Sequence, residues 1–303
     1  MRLGVDIGGT KTEAVAVDGT GGIVQRLRLV TGFGHKAVTE TAIGAITGIA
    51  ELCGISTSEF TSIGIGIPGV VDGQSGRVSH AVNLGLTDFD LASAIYGSLG
   101  IGVRIDNDVT AAAYGTYQFL RPGASMGYLN LGTGLAAGLV IDGKPWRGAR
   151  GGAGEIGHIP VDPSGLACGC GQRGCLETVA SGSGIARAWS TDDPYPAQSL
   201  FDAADAGDAR AIAIRDSFVN GVASAVRILI LTADVETIVI GGGLSHLGDQ
   251  LLSAVRGVLA EWAAASPFLA SLDLESRVLL MPQAFPAAAV GAALLGGQIR
   301  ETV

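Results

Sequence analysis

Residues 3–19, LGVDIGGTKTEAVAVDG, and residues 127–143, GYLNLGTGLAAGLVIDG, carry the same layout. In each, an apolar run enters a glycine turn, a second apolar run follows, and an Asp-Gly pair closes the segment. Asp6 to Asp18 is twelve positions, and Asn130 to Asp142 is twelve as well. A second pair extends the likeness, SIGIGIPG at 62–69 against TIVIGGGL at 237–244. Short β-branched runs that end in glycine read as buried strands feeding turns.

Helical patterns lie between these strands. Ala42, Ile43, Ile46, Ile49 and Ala50 make an i, i+3, i+4, i+7 stripe inside 39–53. Residues 218–231, 251–265 and 287–300 have the same character. Strands followed by helices, twice over, predict two α/β domains of common design with a ligand cleft between them. The boundary is expected near Arg121-Pro122-Gly123, after a helix carrying Ala111 to Phe119. That gives a first domain over 1–120, a second over 121–286, and a last helix within 287–303 that returns to the first. The stretch TDDPYPAQS at 191–199 reads as an exposed loop.

Composition narrows the partners. The 303-residue chain is 48% hydrophobic and 16% charged with a formal net charge of −9, and it has no run of lysine or arginine. Nucleic acid is therefore not an expected partner, because phosphate neutralisation needs a basic face. Apolar stretches such as Ala287 to Leu295 fall short of the roughly 20 residues of a membrane span, so no membrane partner is expected. MRLGVDIGGT enters a strand at once with no secretory pattern, which points to the cytoplasm.

Residues 151–177 read GGAGEIGHIPVDPSGLACGCGQRGCLE. They hold three of the four cysteines and one of the four histidines. One imidazole and three thiolates, from His158, Cys168, Cys170 and Cys175, make a closed tetrahedral set for structural zinc. The competing reading is a disulfide and a spare thiol, but a single residue between Cys168 and Cys170 strains a direct bridge. Reducing compartments also favour metal over disulfide. Glu155 and Glu177 flank the cluster, so a metal knot would fix two carboxylates against a polar ligand. Cys53 lies in an apolar helical pattern and reads as core.

Two readings fit the glycine turns. In DIGGTK, Gly8 and Gly9 either permit a plain hairpin or let bare amides approach phosphate oxygens. Thr10, Lys11 and Thr12 would add donors, and Asp6 would face a magnesium ion. Further turns at Gly132-Thr133-Gly134 and Gly241-Gly242-Gly243 favour the nucleotide reading. Gly64, Gly66 and Gly69 spell the dinucleotide fingerprint, yet no helix opens after Pro68 and no acid follows at the required distance. It is discarded. In IDNDVTAAAYG at 105–115, one of Asp106, Asn107 and Asp108 caps the helix that follows. Three polar groups exceed what a cap needs, so another is a candidate to accept a substrate hydroxyl proton.

Taken together, DIGGTK at 6–11, GIPGVVD at 66–72, IDNDV at 105–109, LGTGLAAG at 131–138, GGAGEIGH at 151–158, CGCGQRGCLE at 168–177 and IGGGL at 240–244 resemble the ROK family of bacterial sugar kinases and repressors. The resemblance runs through nearly the whole chain in order. It implies an actin-like, ribonuclease H-like duplication, an α/β fold whose two lobes close over ATP and a hexose. It implies Asp108 as general base, with Gly69, Asn83, Asn107, Glu155, His158 and Glu177 at the hexose. It implies phosphate contacts from Asp6, Gly8, Gly9, Thr10, Lys11, Thr12, Gly132, Thr133 and Gly134, and an adenosine side at Gly241, Gly242 and Gly243. Mg2+ and a structural Zn2+ are the implied metals, transfer to the 6-hydroxyl of glucose the implied reaction, and a homodimer or homotetramer the implied assembly. Two departures stand out: Gly85-Leu86 follow Asn83-Leu84 where the family often has tryptophan, and Ala136 replaces a usual glycine. ROK repressors carry a helix-turn-helix ahead of the first lobe, whereas here the phosphate turn starts at residue 6.

Overall fold

The computed structural model describes every residue except Gln74, Gln283 and 297–303. The predicted helix over 287–300 is described only as far as Gly296. The duplication in the sequence reappears as topology. The first sheet has the order β3-β2-β1-β4-β8, from β1 (Arg2–Ile7), β2 (Lys11–Val17), β3 (Ile23–Val30), β4 (Ser62–Ile67) and β8 (Arg104–Asn107). The second has the order β11-β10-β9-β12-β13, from β9 (Met126–Leu131), β10 (Leu135–Ile141), β11 (Lys144–Trp146), β12 (Thr237–Gly241) and β13 (Val278–Leu280). In both, an antiparallel hairpin edge is joined to parallel strands: β2 with β3 and β10 with β11 antiparallel, β1 with β4 and β9 with β12 parallel. A small antiparallel sheet, β5 (Val70–Asp72), β6 (Arg77–Ala81) and β7 (Leu86–Asp90), is inserted between β4 and β8.

Contacts divide the chain into two units. Unit 1 holds Met1–Arg121, Gly138–Ala153 and the segment from Pro286, and unit 2 holds Pro122–Ala137 and Gly154–Phe285. Residues 138–153 thus group with the first unit, although they lie inside the expected 121–286 span. The reason is local: a Cβ at Gly138 would stand 2.6 Å from both the Ala113 Cβ and the Val109 carbonyl of α3 (Asp108–Leu120).

In unit 1, α1 (His35–Cys53) buries Val38, Ala42, Ala45, Ile46 and Ile49, close to the predicted stripe. Leu3, Val5 and Ile7 of β1 are wholly buried in the same core, each such side chain stabilising by roughly 1.5–3 kcal/mol. The other face of the sheet is set by glycine. A Cβ at Gly4 would lie 1.9 Å from the Ala289 carbonyl, and one at Gly64 would lie 1.9 Å from that of Ala292. Both carbonyls belong to the last helix, Ala287–Gly296, which packs backbone to backbone on β1, β4 and α3. The discarded GxGxxG is therefore a packing device: Gly64 admits that helix, Gly66 lies under the Cα of Asp108, and Gly69 takes φ +101. In chain order the remaining α-helices are α2 (Leu91–Leu99), α4 (Gly182–Ala188), α5 (Pro196–Asp205), α6 (Ala209–Ala233), α7 (Asp249–Ala265) and α8 (Pro267–Ala270). By length and composition α6 could cross a membrane, contrary to the expectation that every apolar stretch is too short. It buries Phe218, Val222, Val226, Leu229 and Ile230 inside unit 2, so its hydropathy is that of a core helix.

Candidate active site and metal centre

The first turn joins β1 to β2 as a hairpin in which the Gly8 amide donates to the Lys11 carbonyl at 3.0 Å. Thr10 and Lys11 are exposed on it. Thr12 is wholly buried, and its hydroxyl bonds that of Thr31 at 2.8 Å, so it braces β2 against β3. Asn83 stands beside the turn, 3.4 Å from where a Gly9 Cβ would be. Burial first, then the neighbouring Asp108 and Glu13 carboxylates, push the Asp6 carboxyl up to about 8 against the pull of Lys11. A divalent cation beside it would add positive charge that favours the ionised form.

The three polar residues at the end of β8 divide their work. Asp106 is buried and ion-paired with the Arg147 guanidinium. Asn107 is the N-cap of α3, its Oδ1 accepting from the Val109 and Thr110 amides at 2.9 and 3.0 Å. Its Nδ2 donates to the Gly69 carbonyl at 3.0 Å, so one amide proton is left for a ligand. Asp108 opens the helix above Gly66, within Coulomb reach of Asp6. Arg147, 41 residues from Asp106, is not a sequence candidate; only its place in WRGARGG hints at a role.

In unit 2, the Gly132-Thr133-Gly134 turn is gripped by backbone: the Gly182 and Ser183 amides donate to the Gly132 and Thr133 carbonyls. Gly242 takes φ +80 and approaches the same strand end, where a Cβ would lie 2.5 Å from the Leu131 carbonyl. Next to it opens a cavity of about 380 Å³ lined by Tyr195, Pro196, Gly182, Gly243, Leu244 and His246. The segment predicted as an exposed loop over 191–199 is a loop only as far as Tyr195, since 196–199 form the half-buried first turn of α5. It supplies one wall, with Tyr195 largely exposed. His246 is held by a 2.9 Å bond between its Nδ1 and the Gly243 carbonyl. Neither Tyr195 nor His246 stands out in the sequence.

The four predicted metal ligands converge. His158, Cys168, Cys170 and Cys175 bring their ligand atoms within 4.8 Å of one another. Cys170 Sγ lies 3.6 Å from Cys175 Sγ, and Cys168 Sγ lies 3.7 Å from His158 Nδ1. A zinc tetrahedron with bonds of about 2.3 Å has edges of about 3.8 Å, so the donors fit the ion. The thiols are free, not bridged. Burial pushes the Cys168 thiol up to about 12, whereas the Gln172 amide holds Cys170 down at about 6. A cation is what would ionise the set together. Gln172 Nε2 also donates to the His158 carbonyl at 3.2 Å, a brace that the sequence reading misses.

The metal knot carries the flanking acids with it. Glu177 Oε1 lies 3.2 Å from Cys168 Sγ and 3.6 Å from His158 Nδ1. Its other oxygen is 3.0 Å from where a Gly134 Cβ would be, so Glu177 stands beside the Thr133 turn. Glu155 precedes the short 3-10 turn Ile156–His158, seated where a Gly154 Cβ would meet the Ala137 carbonyl at 1.8 Å. With Nδ1 turned to the thiols, His158 keeps Nε2 for another partner.

Two duplicated sheets, a glycine turn in each unit, and carboxylates beside a cluster of one histidine and three cysteines are the build of a phosphotransferase-type body. The ROK family profile matches residues 2–298. The glucokinase of Halalkalibacterium halodurans is 36% identical over 84% of this chain and 83% of its own. The N-acetylmannosamine kinase of Yersinia pseudotuberculosis is 32% identical over 80% of this chain and 82% of its own. The crystal structure of a ROK family glucokinase from Streptomyces griseus, in complex with glucose and AMPPNP, superposes with a TM-score of 0.82 at 30% identity, covering 98% and 99% of the two chains. The chain belongs to the ROK family, and within it stands with the sugar kinases.

Proposed function

We propose that the protein transfers the γ-phosphoryl group of ATP to the 6-hydroxyl of glucose. The observation that carries this reading is the place of Asp108: Asn107 makes the cap of α3, one Asp108 oxygen accepts from the Val109 amide at 2.9 Å, and the residue stands over Gly66 within Coulomb reach of Asp6. In the proposed step the hydroxyl oxygen bonds to γ-phosphorus, the bond from phosphorus to the β,γ-bridging oxygen breaks, ADP leaves, and Asp108 accepts the hydroxyl proton. The carboxylate acts first by aiming the oxygen, because such transition states are loose.

Asn107, Asn83, the Gly69 carbonyl, Glu155, Glu177 and His158 Nε2 are assigned to the remaining sugar hydroxyls. Gly8, Gly9, Thr10 and Lys11 in unit 1, with Gly132, Thr133 and Gly134 in unit 2, are assigned to the phosphates. Gly241 to Gly243 and the Tyr195–His246 cavity take the adenosine. Asp6 is the assigned group for Mg2+, which would neutralise phosphate charge. The zinc held by His158 and the three cysteines would be structural, since all four positions are filled by protein. A cytoplasmic homodimer or homotetramer is the expected setting.

N-acetylmannosamine is the second reading, favoured by the Yersinia relative. A coupled ADP assay with glucose, mannose, fructose, N-acetylglucosamine and N-acetylmannosamine decides it. ADP release highest with glucose supports the proposal; highest release with another sugar replaces the substrate. Binding of a sugar with no ADP from any of them overturns the kinase reading in favour of a sensor.

A further inference from the structure

Unit 1 contains a cavity of about 570 Å³ whose charge is unusual for this protein. Arg77, Arg104, Arg147 and Arg150 line it, in a chain whose formal net charge is −9. Two of the four are committed. Arg77 forms a bidentate pair with Asp88 at 2.6 and 2.9 Å, and Arg147 pairs with Asp106. The other two are not. Arg150 is exposed and makes no ion pair among the described residues, and the Nε of Arg104 is buried with no hydrogen-bond partner. A buried guanidinium N–H without an acceptor costs stability, and an oxyanion would satisfy it.

The placement separates this cavity from the proposed hexose contacts. Arg104 and Asp106, two apart on β8, share one side of the strand, and Ile105 and Asn107 share the other. Asn107 bonds the Gly69 carbonyl, whereas Arg104 and the Asp106–Arg147 pair belong to the arginine cavity. The cavity is several times larger than a bare phosphate, and Asp72, Asp88 and Ser79 add oxygen atoms to its wall. Guanidinium forks match a phosphate, and carboxylates and a hydroxyl match polyol hydroxyls.

We infer that this cavity is a second ligand site that takes a phosphate monoester of a polyol, with Arg104 and Arg150 on the phosphate. Because β8 runs from Arg104 directly into Asn107 and Asp108, the ligand is joined to the proposed reaction centre by one strand. The inference uses the proposed glucose pocket only as the site to be blocked in its test.

Calorimetric titration without nucleotide tests it, with glucose 6-phosphate and inorganic phosphate as separate probes and saturating glucose present to block the proposed sugar pocket. The expected result is glucose 6-phosphate binding that persists under glucose and weakens at least tenfold in Arg150→Ala and in Arg104→Met. Inorganic phosphate should bind at least tenfold more weakly. Arg150 is exposed, so its variant keeps the test valid if Arg104→Met folds poorly. No binding under glucose, or binding unchanged in Arg150→Ala, overturns the site. Equal affinity for inorganic phosphate overturns its assignment to a polyol ester. These titrations need no turnover, so their failure is distinct from failure of the kinase reading.

Discussion

The carboxylate of Asp108 opposes the ionisation of Asp6, and with burial as the larger cause it helps to hold that carboxyl up to about 8. One residue is the last but one of the first strand and the other opens α3 over Gly66 of the neighbouring parallel strand. The proposed assignment gives Asp6 the metal and Asp108 the sugar hydroxyl.

The Asp6 value fixes a pH dependence. Unfolded aspartate titrates near 3.9, so from about pH 4 to pH 8 the folded protein keeps a proton that the unfolded chain has lost. Stability therefore falls as pH rises through that window and levels off above 8. Asp6→Asn removes the effect and should gain on the order of a few kcal/mol over the parent at pH 8, but almost nothing at pH 4. Urea midpoints at the two pH values measure it. The same variant should lose kinase activity at every pH.

Asp108→Ala should lower kcat by roughly 10²–10⁴-fold, the usual worth of a positioned base, and change the sugar KM by only a few fold. Steady-state kinetics with the preferred hexose separate the two constants. A near-normal kcat would remove Asp108 from the role.

Much of this is legible in the chain because its evidence is local. Gly-turn and Asp-Gly punctuation at 3–19 and 127–143 marks the same hairpin twice, and both hairpins are present in the two sheets. The set of His158 and three cysteines is legible because ligand chemistry restricts residue type. What stays hidden is tertiary. Nothing near Gly64 announces that Ala292, 228 positions later, will press its carbonyl against that glycine. The Asp106–Arg147 pair and the Tyr195 wall have the same character. By contrast, β3 has a local signal that the sequence reading does not use. IVQRLRLV alternates as an exposed edge strand should, without the glycine punctuation that marks the other strands.

The glycine contact predicts a stability defect far from any ligand. Gly64→Ala places a methyl 1.9 Å from the Ala292 carbonyl, and backbone on both sides leaves it nowhere to go. The loss should be at least about 1–3 kcal/mol. Denaturant midpoints check it, with Gly73→Ala, where nothing lies within 4 Å, as the control.

The metal cluster predicts one zinc per chain by elemental analysis. Cys175 is wholly buried, so Cys175→Ser should abolish that stoichiometry and lower Tm by roughly 10 °C, a few kcal/mol for a protein of this size. Sugar affinity should fall with it, because Glu177 and His158 are positioned by the same knot. Full metal loss with unchanged sugar KM would break the link between the cluster and the hexose.

The cavity walled by Tyr195 and His246 predicts how the nucleotide is distinguished from the sugar. Tyr195 is largely exposed and braces no core, so Tyr195→Ala should fold normally. An aromatic face against a base contributes about 1–3 kcal/mol, which corresponds to a rise in the ATP KM of roughly 5- to 150-fold. The hexose KM should stay within twofold, because no sugar-assigned residue lines this cavity. If both KM values rise together, the cavity is not the adenosine site and the assignment of Gly241 to Gly243 fails with it.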